Sequence, residues 1–85
     1  YKYLYCPPGY PQVKIGMPDF GNYYSGFSDH TIGLDASKIA LARGAEIIEK
    51  HFCINHDLGV DAKWSMDAKE LKELKEWENT VKSIL

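Results

Sequence analysis

An α/β fold with parallel strands, forming a slice of a larger sheet or of a (β/α)8 barrel, is what this sequence predicts. Its elements run strand, connection, strand, helix, strand, helix, the order of βαβ units. Right-handed crossovers then set the three strands side by side and parallel. The chain has only 85 residues, whereas a full barrel takes about 250, and three strands alone expose two open edges. It also begins Tyr1-Lys2-Tyr3-Leu4-Tyr5-Cys6, a strand already under way with no initiating Met, which suggests a piece of something larger.

Each element has its own local reason. Tyr1 to Cys6 is rich in aromatic, β-favouring side chains and stops at Pro7-Pro8-Gly9. Tyr10 to Asn22, with Pro11, Gly16, Pro18 and Gly21, reads as an irregular connection with at most one short helical turn. Tyr23 to His30 is the second strand. Alternation puts Tyr24, Gly26, Ser28 and His30 on one face, and Tyr23, Ser25, Phe27 and Asp29 on the other. Asp35 to Arg43 is a helix with Asp35 as N-cap, Ala36, Ile39, Ala40 and Arg43 on one stripe, and Gly44 as the left-handed residue that ends it. Ala45 to Phe52 is the third strand, with Ile47, Glu49 and His51 sharing a face. His56 to Ser65 is a polar loop. Asp67 to Leu85 is the longest helix. Asp67 and Glu70 form a capping-box pair, and Leu71, Leu74, Trp77, Val81, Ile84 and Leu85 make an apolar stripe amid Lys and Glu.

Composition excludes several classes. Apolar residues make up 45% of the chain and the net charge is −2, which argues against a disordered tail. A pI near 5.9 leaves no basic surplus for phosphates, so no nucleic-acid or acidic-membrane partner is expected. The chain lacks an apolar run of about 18 residues, so no helix is expected to span a bilayer. No signal peptide is visible. Cys6 and Cys53 lie far apart without a CxxC, which reads as free thiols in a cytoplasmic setting.

In parallel α/β folds chemistry sits at the carboxyl ends of the strands. Those ends are Ser28-Asp29-His30-Thr31 and Glu49-Lys50-His51-Phe52. If both faces point into a barrel, two imidazoles, a hydroxyl and a carboxylate converge at its mouth. Two neutral imidazoles on neighbouring strands suit a divalent metal with positions left open for substrate. The alternative reading makes each His a hydrogen-bonded strand-end residue. Glu49 on an inward face needs a partner, either a metal or a structural ion pair with Lys or Arg. Asp61 reads as a turn residue or a functional one, and His56 as solvent-exposed. Tyr10 lines a pocket or covers the core. Cys53 has no basic neighbour in sequence and is not read as a nucleophile.

These residues carry a resemblance. Gly26 before Ser28-Asp29-His30-Thr31, a helix ending in Gly-Ala, and Ile47-Ile48-Glu49-Lys50-His51-Phe52 resemble the sialic acid synthase family, which includes the legionaminic and pseudaminic acid synthases. Cys6 followed by Tyr10-Pro11, Gly59-Val60-Asp61, Ser65-Met66 and Glu70-Leu71 are similar to further stretches of that family, in order along nearly the whole chain. The resemblance implies the last strands and final helices of a (β/α)8 TIM barrel, with residues 1–85 a single piece of that domain. It implies condensation of phosphoenolpyruvate with an N-acetylated sugar such as N-acetylmannosamine, with release of phosphate, toward a surface polysaccharide. It further implies a divalent metal, manganese or magnesium, held by His30 and His51. Ser28 would contact phosphoenolpyruvate, Glu49 would act beside the reacting carbons, and Tyr10 and Asp61 would bind the sugar. The parent would be a homodimer. This stretch alone would lack activity, since lysines from other strands and a trailing antifreeze-like domain would be missing.

The chain departs from the family pattern in places. Pro7 and Pro8 stand where a side chain usually reaches phosphoenolpyruvate, and proline has no such donor. Cys53 replaces a usual Thr, and Ala62 a frequent His. Two other readings of the residues stand beside this one: another metal-dependent barrel lyase of aldolase type, and a non-catalytic metal-binding or interaction module that self-associates through its open strand edges.

Overall fold

β-branched and aromatic residues at Tyr3–Tyr5 (β1), Tyr24–Asp29 (β2) and Ile47–Lys50 (β3) pair into one sheet in the order β1-β2-β3, all parallel. The computed structural model describes residues 2–7, 16–53 and 65–84. Helix α1 spans Asp35–Ala42 and helix α2 spans Ala68–Ile84. The strands are shorter than their apolar runs, because ladder pairing between β2 and β3 stops at Asp29↔Lys50. His30 and His51 therefore sit one residue beyond it. Past the end of β3, Phe52 makes an isolated parallel bridge with Met66, and the Met66 N–H donates to the His51 carbonyl at 2.7 Å.

α1 and α2 are packed together behind β2 and β3. Phe27 and Ala40 are fully buried in a cluster with Phe20 and Ala45, with Tyr5, Tyr24 and Ile48 packed against it. A second cluster joins Leu34, Leu41, Met66 and Leu74. Tyr24 departs from the expected alternation, since it belongs to the Phe27 side. The reason is a register irregularity: consecutive Tyr3 and Leu4 pair with Tyr24 and Gly26, so Ser25 is an extra residue and the face inverts across it.

The helix ends obey two different rules. Asp35 is not the N-cap of α1. Leu34 takes that place without a side-chain bond, and its carbonyl accepts the first helical N–H from Lys38 at 2.9 Å. Burial of Leu34 in the second cluster anchors this end in place of a polar cap, and Asp35 lies instead in the first turn, where the helix dipole favours an anion. The C-terminus is as expected. Gly44 has φ +97°, its N–H reaches Leu41 O, and Ala45 N–H reaches Ala40 O at 3.0 Å, the paired bonds of a Schellman motif. α2 opens with the reciprocal capping box: Glu70 N–H donates to Asp67 Oδ1 at 2.9 Å and Asp67 N–H to Glu70 Oε1 at 3.1 Å.

α2 rests on α1 through buried Leu74 and through the Trp77 indole N–H, which donates to the Lys38 carbonyl at 3.0 Å. Lys38 also pairs with Glu73 at 2.9 Å. The apolar stripe is only partly covered. Leu71 is 38% and Ile84 76% exposed, because the elements described here reach only the middle of the helix.

Gly26 has the tightest surroundings in the sheet. A Cβ there would stand 2.7 Å from both the Ile47 Cβ and the Leu4 Cδ2, and would also run into the Ile47 carbonyl. Backbone cannot give way as a flexible side chain does, so Gly26→Ala is expected to cost about 1–3 kcal/mol or more in urea unfolding of the full-length protein. Asp67→Ala is expected to cost about 1 kcal/mol, and Asp67→Ser, which keeps an acceptor, to retain most of that stability.

Candidate functional site

The sheet face turned away from the helices is built in rows. Leu4, Gly26 and Ile47 pair across the three strands and form an apolar floor. In the next row Ser28 pairs with Glu49, and the Ser28 hydroxyl donates to Glu49 Oε1 at 2.7 Å. One step further, at the carboxyl ends of β2 and β3, the rings of His30 and His51 lie 5.6 Å apart at an interplanar angle of 56°. Ser28 and His30 are buried, whereas Glu49 and His51 are open to solvent. The structure thus brings together four of the residues expected from the sequence. Among the described residues the partner of Glu49 is the Ser28 hydroxyl on the neighbouring strand.

Behind this face lies a second polar cluster that sequence reasoning did not single out. Asp29 and Lys50 are the next register pair after Ser28 and Glu49, and their side chains turn toward the helices. Both side chains are 0% exposed, with Lys50 Nζ 3.4 Å from Asp29 Oδ2. Asp29 Oδ1 accepts from the Thr31 N–H at 2.8 Å and from the Thr31 hydroxyl at 2.7 Å. Ser37 on α1 donates its hydroxyl to Asp29 Oδ2. Lys50 Nζ also donates to the Thr31 carbonyl at 2.7 Å. Burial pushes the Lys50 ammonium below its usual range, and the Asp29 carboxylate opposes that shift. The signal was available: two opposite charges, each one residue before a histidine on its strand, with Phe27 and Ile48 two positions earlier on the same face.

Tyr10 and Asp61, the two other expected site residues, lie outside the described residues, as do His56 and Ala62. Neither Cys6 nor Cys53 forms a disulfide. Partial burial, helped by the carboxylates of Asp67 and Glu70, pushes the Cys53 thiol above its usual value. No helix among the described residues is long and apolar enough to cross a membrane.

Divalent cations take imidazole and carboxylate donors. Two imidazoles side by side, with a carboxylate in the preceding row, are the donor types such ions take. Among the described residues no group of three or more His, Cys, Asp or Glu closes around one point. His30 and His51 supply two imidazole donors that could hold such an ion.

The family description "NeuB family" matches residues 15–85. An N,N'-diacetyllegionaminic acid synthase of Campylobacter jejuni is 48% identical over 84% of this chain and 24% of its own length. A pseudaminic acid synthase of Helicobacter pylori is 44% identical over 86% of this chain and 24% of its own length. The crystal structure of an N-acetylneuraminic acid synthetase from Leptospira borgpetersenii superposes with a TM-score of 0.79 at 31% identity, covering 95% of this chain and 32% of that one. The chain therefore spans about a quarter of the length of the curated relatives it matches. With matching sequence, parallel βα order and superposable strands, the chain belongs to the NeuB family, and its three strands and two helices form part of that family's TIM-barrel-like α/β fold.

Proposed function

We propose that this chain is the C-terminal portion of the barrel of a nonulosonic acid synthase. The enzyme condenses phosphoenolpyruvate with an N-acetylated sugar aldehyde, such as N-acetylmannosamine, and releases phosphate. The observation that carries the proposal is the pair of rows at the strand ends, Ser28 bonded to Glu49 and His30 beside His51, in a chain of this family.

His30 and His51 are the residues that would hold a divalent cation, manganese or magnesium. When bound, such an ion supplies Lewis acidity toward a carbonyl oxygen. Ser28 sits deeper, where its hydroxyl orients the Glu49 carboxylate, and its proposed role is to contact phosphoenolpyruvate. Glu49 is open to solvent on the same face and can hold or pass a proton beside the reacting carbons. Tyr10 and Asp61 are proposed to bind the sugar. Leu4, Gly26 and Ile47 form the apolar row next to these groups on the same face.

The test is metal-dependent condensation by the full-length protein, supplied with phosphoenolpyruvate and a panel of N-acetyl sugars. Phosphate release and the nonulosonic acid product are both read. Turnover with at least one sugar, abolished in His30→Ala and His51→Ala proteins that still fold, is the expected result. A folded, metal-supplied protein that turns over none of the sugars would overturn the proposal. Glu49→Gln keeps the size and the hydrogen bond from Ser28 but removes the charge. It is expected to lower kcat about 10²–10⁴-fold with a smaller change in KM for phosphoenolpyruvate.

A further inference from the structure

The charged side chains of Asp29 and Lys50 are both 0% exposed and lie on the helix side of the sheet. Stability alone is a weak reason for such a pair, since apolar residues of similar volume often do as well. The bonds around the pair converge on the chain at His30. Asp29 precedes His30, and its Oδ1 takes both the N–H and the hydroxyl of Thr31, which follows it. One carboxylate thus holds both backbone neighbours of that imidazole. Lys50 precedes His51, and its ammonium reaches across to the Thr31 carbonyl at 2.7 Å. The strand end that carries His51 is thereby tied to the peptide just after His30. Ser37 donates to the other carboxylate oxygen and fixes the cluster to α1.

The ladder between β2 and β3 ends at this pair, and the histidines stand one residue past it. Their spacing is therefore set by how the two chains continue, which is where these side-chain bonds act. We infer that Asp29 and Lys50 are positioning residues, a clasp on the back of the sheet that sets the separation and orientation of His30 and His51 on its front and so the affinity of that pair for a divalent cation. This rests on the proposed metal role of the two histidines. Outer partners of metal ligands commonly control affinity by fixing ligand orientation, and useful sites are held to within about 0.5 Å. Here the control runs through the backbone on either side of the ligand.

The test is Mn2+ binding to the full-length protein, read from the electron paramagnetic resonance signal of the free ion, with folding checked by circular dichroism. Asp29→Asn and Lys50→Met are expected to weaken binding about 10–100-fold. Thr31→Val, which removes one hydroxyl and leaves the charge pair in place, is expected to weaken it by a smaller factor, and it decides the matter if the charge variants do not fold. Lower thermal stability with unchanged Mn2+ affinity in the folded variants would overturn the clasp. His30→Ala and His51→Ala separate the two ideas. If they too keep wild-type affinity, the metal reading falls and the clasp with it. If they lose Mn2+ while the clasp variants keep it, only the clasp is overturned.

Discussion

β2 and β3 pair in parallel from Gly26↔Ile47 to Asp29↔Lys50, and because side chains alternate with a period of two, this one register assigns every polar group to a face. On the front it sets Ser28 against Glu49, and one step on, His30 beside His51. On the back it sets Asp29 against Lys50. A slip of one residue would break both pairs together and strand two charges among the helices. Gly26 lets the register close, since any Cβ at that position would strike the Ile47 backbone and the Leu4 side chain.

The two faces solve different electrostatic problems. Glu49 and His51 keep contact with solvent, so their polar groups remain hydrated. Asp29 and Lys50 have no such recourse. They sit beyond the apolar cluster around Phe27 and Ala40, where a lone charge would be costly. The cost is offset by density of bonding: the carboxylate takes donors from Thr31 and Ser37 as well as the ammonium, and the ammonium takes a carbonyl too. Charge-assisted bonds of this kind are stronger than neutral ones, and removing one partner would leave the other buried and uncompensated.

Local features of the fold were legible wherever a few neighbouring residues suffice. Asp67 and Glu70 make their capping box within a single turn, and Gly44 supplies the positive φ that ends α1. The strand-end motifs placed Ser28, His30, Glu49 and His51 on one face, as found. Reading failed where a distant contact overrides the local preference. Asp35 has the chemistry of an N-cap, yet Leu34 holds that position because its side chain is buried against Leu41, Met66 and Leu74. Tyr24 follows strict alternation on paper, yet the irregular pairing with β1 turns it to the other side. Leu71 and Ile84 continue the apolar stripe of α2 but remain exposed.

By itself, then, the sequence determined the element order, the parallel class, the helix ends that capping chemistry controls, and which polar residues stand at the strand termini. Those depend on spacing within one segment. The tertiary structure decided which of these polar residues meet. Ser28 and Glu49 are separated by 21 positions in the chain and become hydrogen-bonded only through strand pairing. Asp29, Thr31, Ser37 and Lys50 become one buried cluster only when α1 covers the back of the sheet. A side chain's face follows from alternation along its own strand, but its partner follows from the register between strands, and that register is set by the close approach at Gly26 and by burial on both sides of it.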